Sequence, residues 1–242
     1  MCTVVIRIPE PGATAEPVRL LAVRDEDPAR PWNPLGSWWP QLPDVVGVQD
    51  RLAGGAWLAA RPGRLAVLLN RAGEPDLPAA QIASRGGIVL DAVGGATPQG
   101  ELRTLGFNLV EVDGDGASVV SWDGQELRRE RLSPGTHMIA HTDADDPATP
   151  RIAAWHAAFE AASTDGDASG WWEPWLTVLA QSAELSPEDD RAIIRDNRPH
   201  GYPTQSLLAC VASVSAQTTD VRYAELPHAG EWSPLSFEPP RG

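Results

Sequence analysis

Short apolar runs, each closed by a Gly-, Pro- or Asp-rich turn, recur along the first 140 residues, and they constrain the fold more than any other feature. Cys2 to Ile8 and Val18 to Val23 are separated by a stretch that opens Pro9-Glu10-Pro11-Gly12. Ala56 to Ala60 and Leu65 to Leu69 flank Arg61-Pro62-Gly63-Arg64, and Gly106 to Val112 and Ala117 to Trp122 flank Asp113-Gly114-Asp115-Gly116. Glu126 to Leu132 and Thr136 to His141 follow, joined by Ser133-Pro134-Gly135. Strands joined by so few residues pair antiparallel, because a parallel pair needs a long crossover. Two late runs, Ser206 to Val214 and Val221 to Leu226, add further strands.

Helical signals are fewer. Pro150 to Ala162 carries Ile152, Trp155, His156 and Phe159 at three- and four-residue spacing, one apolar face of a helix. Ser84 to Val93 stops at Gly94-Gly95, and Trp171 to Gln181 is a further candidate. Ser186 to Asp196 opens Ser-Pro-Glu-Asp, a cap, a first-turn proline and two acids at the positive helix end. Hairpins with a few interspersed helices predict an α+β domain of mainly antiparallel sheet. No linker divides the chain, so residues 1–242 are expected to form one domain, with a loosely held Pro-rich tail from about 227 to 242.

Composition excludes some classes. Net charge is −14 and no Lys/Arg run appears, so a nucleic-acid partner is not expected. No apolar run nears the roughly 20 residues of a membrane span, and Thr3 to Ile8 has no basic region before it, so neither a span nor a signal peptide is expected. The expectation is a soluble, cytoplasmic protein. Two cysteines, Cys2 and Cys210, give no disulfide framework, and the five histidines show no metal-binding spacing, so no metal site is predicted.

Cys2 is the residue with the most chemistry. Removal of Met1 would leave it with a free α-amine whose ordinary pKa is about 7.7–8.0. One residue then supplies a thiol nucleophile and its own base. If the first two runs pair as a hairpin, Arg24 and Asp25 fall beside Cys2. The guanidinium would favour the thiolate, and the carboxylate would orient the α-ammonium or hold Arg24. Spacing alone favours a plainer alternative, in which Cys2 is a small terminal residue and Arg24 to Asp27 a solvated turn.

The segment Leu20-Leu21-Ala22-Val23-Arg24-Asp25-Glu26-Asp27, with Arg30-Pro31 and Trp38, resembles the signature of the NRDE family, also called the transport and Golgi organisation protein 2 family. Similarity continues through Asp50, Gly54-Gly55-Ala56-Trp57-Leu58, Arg64 to Asn70, Ser84-Arg85-Gly86 and Gly106-Phe107-Asn108-Leu109-Val110. It fades after about His141 and returns at Tyr202-Pro203-Thr204-Gln205-Ser206. The resemblance implies a four-layer αββα sandwich of the N-terminal-nucleophile type, akin to cysteine amidases. It implies Cys2 as nucleophile with Arg24 and Asp25 as supports, and Asn70 and Asn108 as oxyanion donors. The chain departs from the family pattern at three positions. Val23 replaces an Asn, losing a polar group beside Cys2. Gln205 replaces an Arg, and His141 replaces an Asn.

The tryptophans bear on ligand size. Trp32 and Trp38 in the loop Pro28–Pro43, with Trp57, are expected to wall the Cys2 site, whereas most of the others are expected to pack the core. Two functions follow from these residues. One is a cysteine amidohydrolase acting on a small amide with an apolar acyl group, without a cofactor. The other is a non-catalytic carrier that holds an acyl lipid or, as the family resemblance implies, haem in the same pocket, with His141 or His200 as the candidate haem ligand. The partner in both is a small molecule, and sequence gives no oligomeric state.

Overall fold

In the computed structural model the described residues are 2–10, 12, 16–166 and 169–242. Met1, whose removal the amidohydrolase reading requires, lies outside them. The chain opens with the expected hairpin, β1 (Thr3–Ile8) and β2 (Val18–Glu26). Then come β3 (Trp32–Gly36), β4 (Val46–Asp50), β5 (Ala56–Arg61) and β6 (Arg64–Asn70). The short helix α1 (Ile88–Val93) precedes β7 (Phe107–Asp113), β8 (Gly116–Trp122), β9 (Leu127–Arg131) and β10 (Gly135–Ile139). Helices α2 (Pro150–Ala161) and α3 (Glu173–Ser182) lead to β11 (Gln205–Val214) and β12 (Thr219–Glu225).

These strands form two antiparallel sheets. The first has the order β10-β1-β2-β11-β12, and the second runs from β3 to β9 in sequence order. The fold class is α+β, as the hairpin pattern predicts. Both sheets are covered on both faces. In β2, Leu20 and Ala22 enter the core between the sheets, while Leu21 and Val23 enter a second core with α2 and α3. In β6, Leu65, Val67 and Leu69 point between the sheets, and Ala66 and Leu68 pack toward α1. Two buried faces explain why these strands read as continuous apolar runs and not as alternating ones. Trp171 and Trp175 sit edge to face at 5.6 Å within the core under α3, and Phe159 of α2 meets Trp175 at 6.0 Å. Such pairs add about 0.5–1.5 kcal/mol each beyond their burial. No helix among the described residues is long and apolar enough to cross a membrane.

Four expectations are corrected. Residues 186–196 form turns, not a helix. Ser186 Oγ accepts from the amide of Glu188 and Asp189 Oδ1 from the amide of Arg191, so the side chains meant to cap a helix capture local amides instead. The helix expected from Ser84 begins only at Ile88, because Gly86 is pressed against Gly55 and its carbonyl accepts from the Ala56 amide at 3.1 Å. The tryptophan-rich loop contains a strand, β3, which bears Pro34 because it lies at the sheet edge, where a missing amide hydrogen is tolerated. The Pro-rich tail is anchored. Glu238 exchanges two backbone hydrogen bonds with Tyr223, the Arg241 amide donates to Leu35 O, and Phe237 packs on Trp172 at 5.6 Å.

Candidate active site

The pairing of β1 with β2 sets Thr3 opposite Val23, which brings Cys2 next to Arg24 and Asp25 as the hairpin argument requires. Cys2 is buried, and its thiol donates to Asp25 O at 3.6 Å. On the other side of β2, β11 carries a register shift between Ser206 and Leu208, opposite Asp25 and Arg24. A bulge of this kind re-aims side chains. Here it accompanies Ser206, which donates to Asp25 Oδ1 at 2.6 Å.

A buried polar network stands behind the thiol, and most of it was not foreseen. Asn197 Nδ2 donates to Asp25 Oδ2 at 3.3 Å and its own oxygen accepts from Arg195 Nε at 3.0 Å. Arg195 continues to Asp190 at 2.8 Å, and its amide donates to Ser206 Oγ at 2.8 Å. Arg151 of α2 is 2% exposed and donates to Thr3 Oγ1 at 3.1 Å. Burial lowers its pKa to about 10, and Asp25 is the charge that most favours the cation. His141 borders this group, its Nδ1 buried and without a hydrogen-bond partner. Burial, then Arg151 and Arg195, lower its pKa to about 4, so it is neutral at ordinary pH. An isolated Arg or Asn in a loop carries no sequence signal for such a role. Only Ser206 fell inside a motif.

Arg24 does not make Cys2 a thiolate, contrary to the charge argument. Burial, and then the Asp25 carboxylate, raise the thiol above its ordinary range and outweigh the smaller pull of Arg24. The guanidinium is turned to Glu26, at 3.3 Å, and lies over the Trp57 ring at 5.8 Å. Its Nη1 is buried with no hydrogen-bond partner.

Cys2 opens into a cavity of about 280 Å³ whose wall also includes Arg24, Asp25, Trp57 and Asn70. Four of the five residues expected to be catalytic therefore meet there. Asn108 does not. It is fully buried, its Nδ2 donates to Ala140 O at 3.0 Å and Thr142 O at 2.6 Å, and its oxygen accepts from Ser121 at 2.8 Å. With both amide hydrogens used, it ties β7 to the segment after β10 and has none to offer a ligand. Trp32, on β3, and Trp38, just beyond it, are also elsewhere. Trp32 donates to the Tyr223 hydroxyl at 3.0 Å, and Trp38 donates to Pro34 O at 2.7 Å and packs with the core around α1. Val23 likewise points into the core under α2 and α3, so an Asn at that position would not face the cavity. Gln205 donates to Ala229 O at 3.1 Å and helps hold the tail.

Much of the rest of the wall comes from residues that the motifs contain without marking a role. Arg30 is paired with Asp50 at 2.5 Å and lies 3.9 Å from Glu26. Ser84 and Arg85 enter from the segment pinned by Gly55. Ile82, Leu68 and the partly exposed Leu105 supply apolar surface. No histidine lines the cavity, and His200 sits in an exposed turn with its Nε2 on Glu188 O at 2.9 Å. Among the described residues neither His141 nor His200 is therefore placed to ligate haem in this cavity.

Two antiparallel sheets with a cysteine-walled cavity at the start of the first strand define an α+β protein organised around its own amino-terminal segment. A family model described as Transport and Golgi organisation 2 matches residues 1–206, and the chain belongs to that family. The match runs on through 142–201, where the motif resemblance fades. No curated protein matches the chain.

Proposed function

We propose that the chain is a cysteine amidohydrolase of the N-terminal-nucleophile type, acting on a small amide with an apolar acyl group. The observation that carries this reading is the meeting of Cys2, Arg24, Asp25 and Asn70 in one cavity wall. Helices outside each of two face-to-face sheets are also the layering that an αββα sandwich of this type requires.

The chemistry follows from the thiol's surroundings. A thiol held protonated by burial needs a base, and the α-amine freed by loss of Met1 is the nearest group of suitable basicity. The amine takes the thiol proton as sulfur attacks the amide carbonyl. The tetrahedral intermediate collapses to a thioester, the leaving amine takes the proton, and water releases the acid. Asp25, held by Ser206 and Asn197, orients the α-amine. Asn70, whose amide has no hydrogen-bond partner among the described residues, is the oxyanion donor, a role typically worth about 3–4 kcal/mol of barrier.

Iodoacetamide labelling followed by peptide mass spectrometry tests this. Cys2, in the cavity wall, should react well before Cys210, which is buried in the core between the sheets. Equal slow labelling, or Met1 retained in the intact mass, would sink the reading. A second reading, a carrier that holds an acyl lipid without cleaving it, is favoured by the raised thiol pKa. Native mass spectrometry of protein taken from cells separates the two, since a carrier should retain its ligand.

A further inference from the structure

The cavity wall carries three arginines, Arg24, Arg30 and Arg85, and three carboxylates, Asp25, Glu26 and Asp50, but they do not all pair with one another. Of its three arginines, Arg30 is paired with Asp50, and Arg24 with Glu26. Arg85 has neither. Among the described residues its hydrogen bond is to a backbone carbonyl, Nη1 to Gly106 O at 2.7 Å, and no carboxylate comes within ion-pair distance. Yet it is largely removed from water, and burial holds its pKa below the usual value. A partly desolvated guanidinium with donors to spare is costly unless an anion meets it.

Its placement is rigid. The segment carrying it is tied to β5 by the Ala56 amide on Gly86 O at 3.1 Å. The Gly86 amide donates to Ser84 Oγ at 3.1 Å, and Arg85 O accepts from the Ile88 amide at 3.1 Å, at the start of α1. Gly55 lies so close to Gly86 that a Cβ on it would come within 1.9 Å of the Gly86 carbonyl oxygen. The two glycines let β5 and the Arg85 segment touch backbone to backbone. Arg24 shares the wall and keeps Nη1 without a partner. Leu68, Ile82 and Leu105 give the same cavity wall apolar surface.

We infer that Arg85 is the anion-recognising residue of this cavity, and that the ligand is an acid-bearing molecule with an apolar chain, its carboxylate on the Arg85 guanidinium. This rests on the Cys2 cavity being the substrate site and narrows the substrate to an acid-bearing amide. The forked guanidinium suits a planar carboxylate, and charge-assisted bonds are the stronger kind. The whole protein, at net charge −14, repels anions, so any preference for one must arise locally.

The test is calorimetric titration of the Cys2→Ala protein with hexanoate and with its neutral counterpart, hexanamide. Without the thiol no turnover is involved, so the outcome does not depend on whether Cys2 is a nucleophile. Hexanoate should bind at least about tenfold tighter than hexanamide, the scale of one charge-assisted contact. Adding Arg85→Met should bring the two to parity, with the larger loss falling on hexanoate, and Arg85→Lys should keep part of the preference. Equal affinities before Arg85 is altered, or a preference that survives Arg85→Met, would overturn the inference. Should Arg85→Met not fold, the comparison of the two ligands on Cys2→Ala and on Arg85→Lys still decides it. Fast Cys2 labelling with no carboxylate preference would leave the amidohydrolase standing and remove this substrate class. A preference without fast labelling would do the reverse.

Discussion

Gly55→Ala should damage stability and the cavity together, and the size of the effect can be worked from the geometry. An ideal Cβ on Gly55 falls 1.9 Å from the Gly86 oxygen, 2.1 Å from its carbonyl carbon and 2.4 Å from its Cα. All three are backbone atoms, so no rotamer change relieves the clash. Opening the contact to an ordinary 3.4 Å means moving one backbone by about 1.5 Å (3.4 less 1.9). That breaks the 3.1 Å bond from the buried Ala56 amide to Gly86 O. Overpacking costs about 1–3 kcal/mol, and an orphaned buried amide about 1–3 kcal/mol more. For a chain of this size that corresponds to a melting temperature lower by at least about 4 °C. Gly54→Asn is the internal control. Gly54 has φ +72° with open space around it, and Asn tolerates that conformation, so the change should stay within about 1 kcal/mol. Differential scanning calorimetry of the two variants, with hexanoate titration of each, reads both effects. A Gly55→Ala protein that melts with the wild type and binds hexanoate equally would refute the claim that this backbone contact seats Arg85.

The other predictions concern the polar groups around the site. Asn108→Ala strands the carbonyls of Ala140 and Thr142 and the Ser121 hydroxyl inside the protein, and urea unfolding should show a loss of about 2–4 kcal/mol. His141, with its pKa depressed to about 4, should give imidazole NMR shifts of the neutral ring down to that region, and its contribution to stability is full above pH 6.5 and lost as pH falls toward 4. His137 has the opposite sign. Asp145 Oδ2 at 2.6 Å raises its pKa, so that contribution is full below pH 6.5 and is lost as pH rises through the higher folded value. Asp145→Asn keeps a residue that tolerates the φ of 56° and should flatten the alkaline loss in a series of melts. Ser206→Ala removes a 2.6 Å bond to Asp25 and an acceptor for the Arg195 amide, and should slow Cys2 labelling if the free amine depends on an oriented Asp25.

The hairpin signals were readable because turn chemistry and strand propensity are local. Pro62-Gly63 and Asp113-Gly114-Asp115-Gly116 commit their flanking runs to antiparallel pairing whatever the rest of the chain does. The helix forecast at Ser186 failed for a related reason. Ser and Asp side chains serve caps and turns equally well, and the buried run Ala192-Ile193-Ile194 leading to the pairing of Asp196 with Gln205 decided for turns. Strands β3 and β4 were hidden by Pro34, Gly36 and Gly47, which weaken any strand signal and are accommodated toward the sheet edge. Asn70 and Asn108 looked alike as strand-end asparagines. Only packing shows that Asn70 lines the cavity while Asn108 is consumed by backbone carbonyls.

By itself the sequence determined that Cys2, Arg24 and Asp25 would lie together. That needs one hairpin, and the register of a hairpin follows from its two apolar runs. What tertiary structure decided is the character of the thiol and the rest of the wall. Whether Cys2 rests as thiol or thiolate turns on burial and on where the Arg24 guanidinium points, and both depend on Trp57 and Glu26. Arg85, Arg151, Arg195 and Asn197 come from segments more than fifty residues away in sequence; of these only Arg85 lies in a motif, Ser84-Arg85-Gly86, and no local pattern brings any of them to the cysteine. Desolvation and charge pairing act through space, and so only the assembled sheets could bring those four residues to the cysteine.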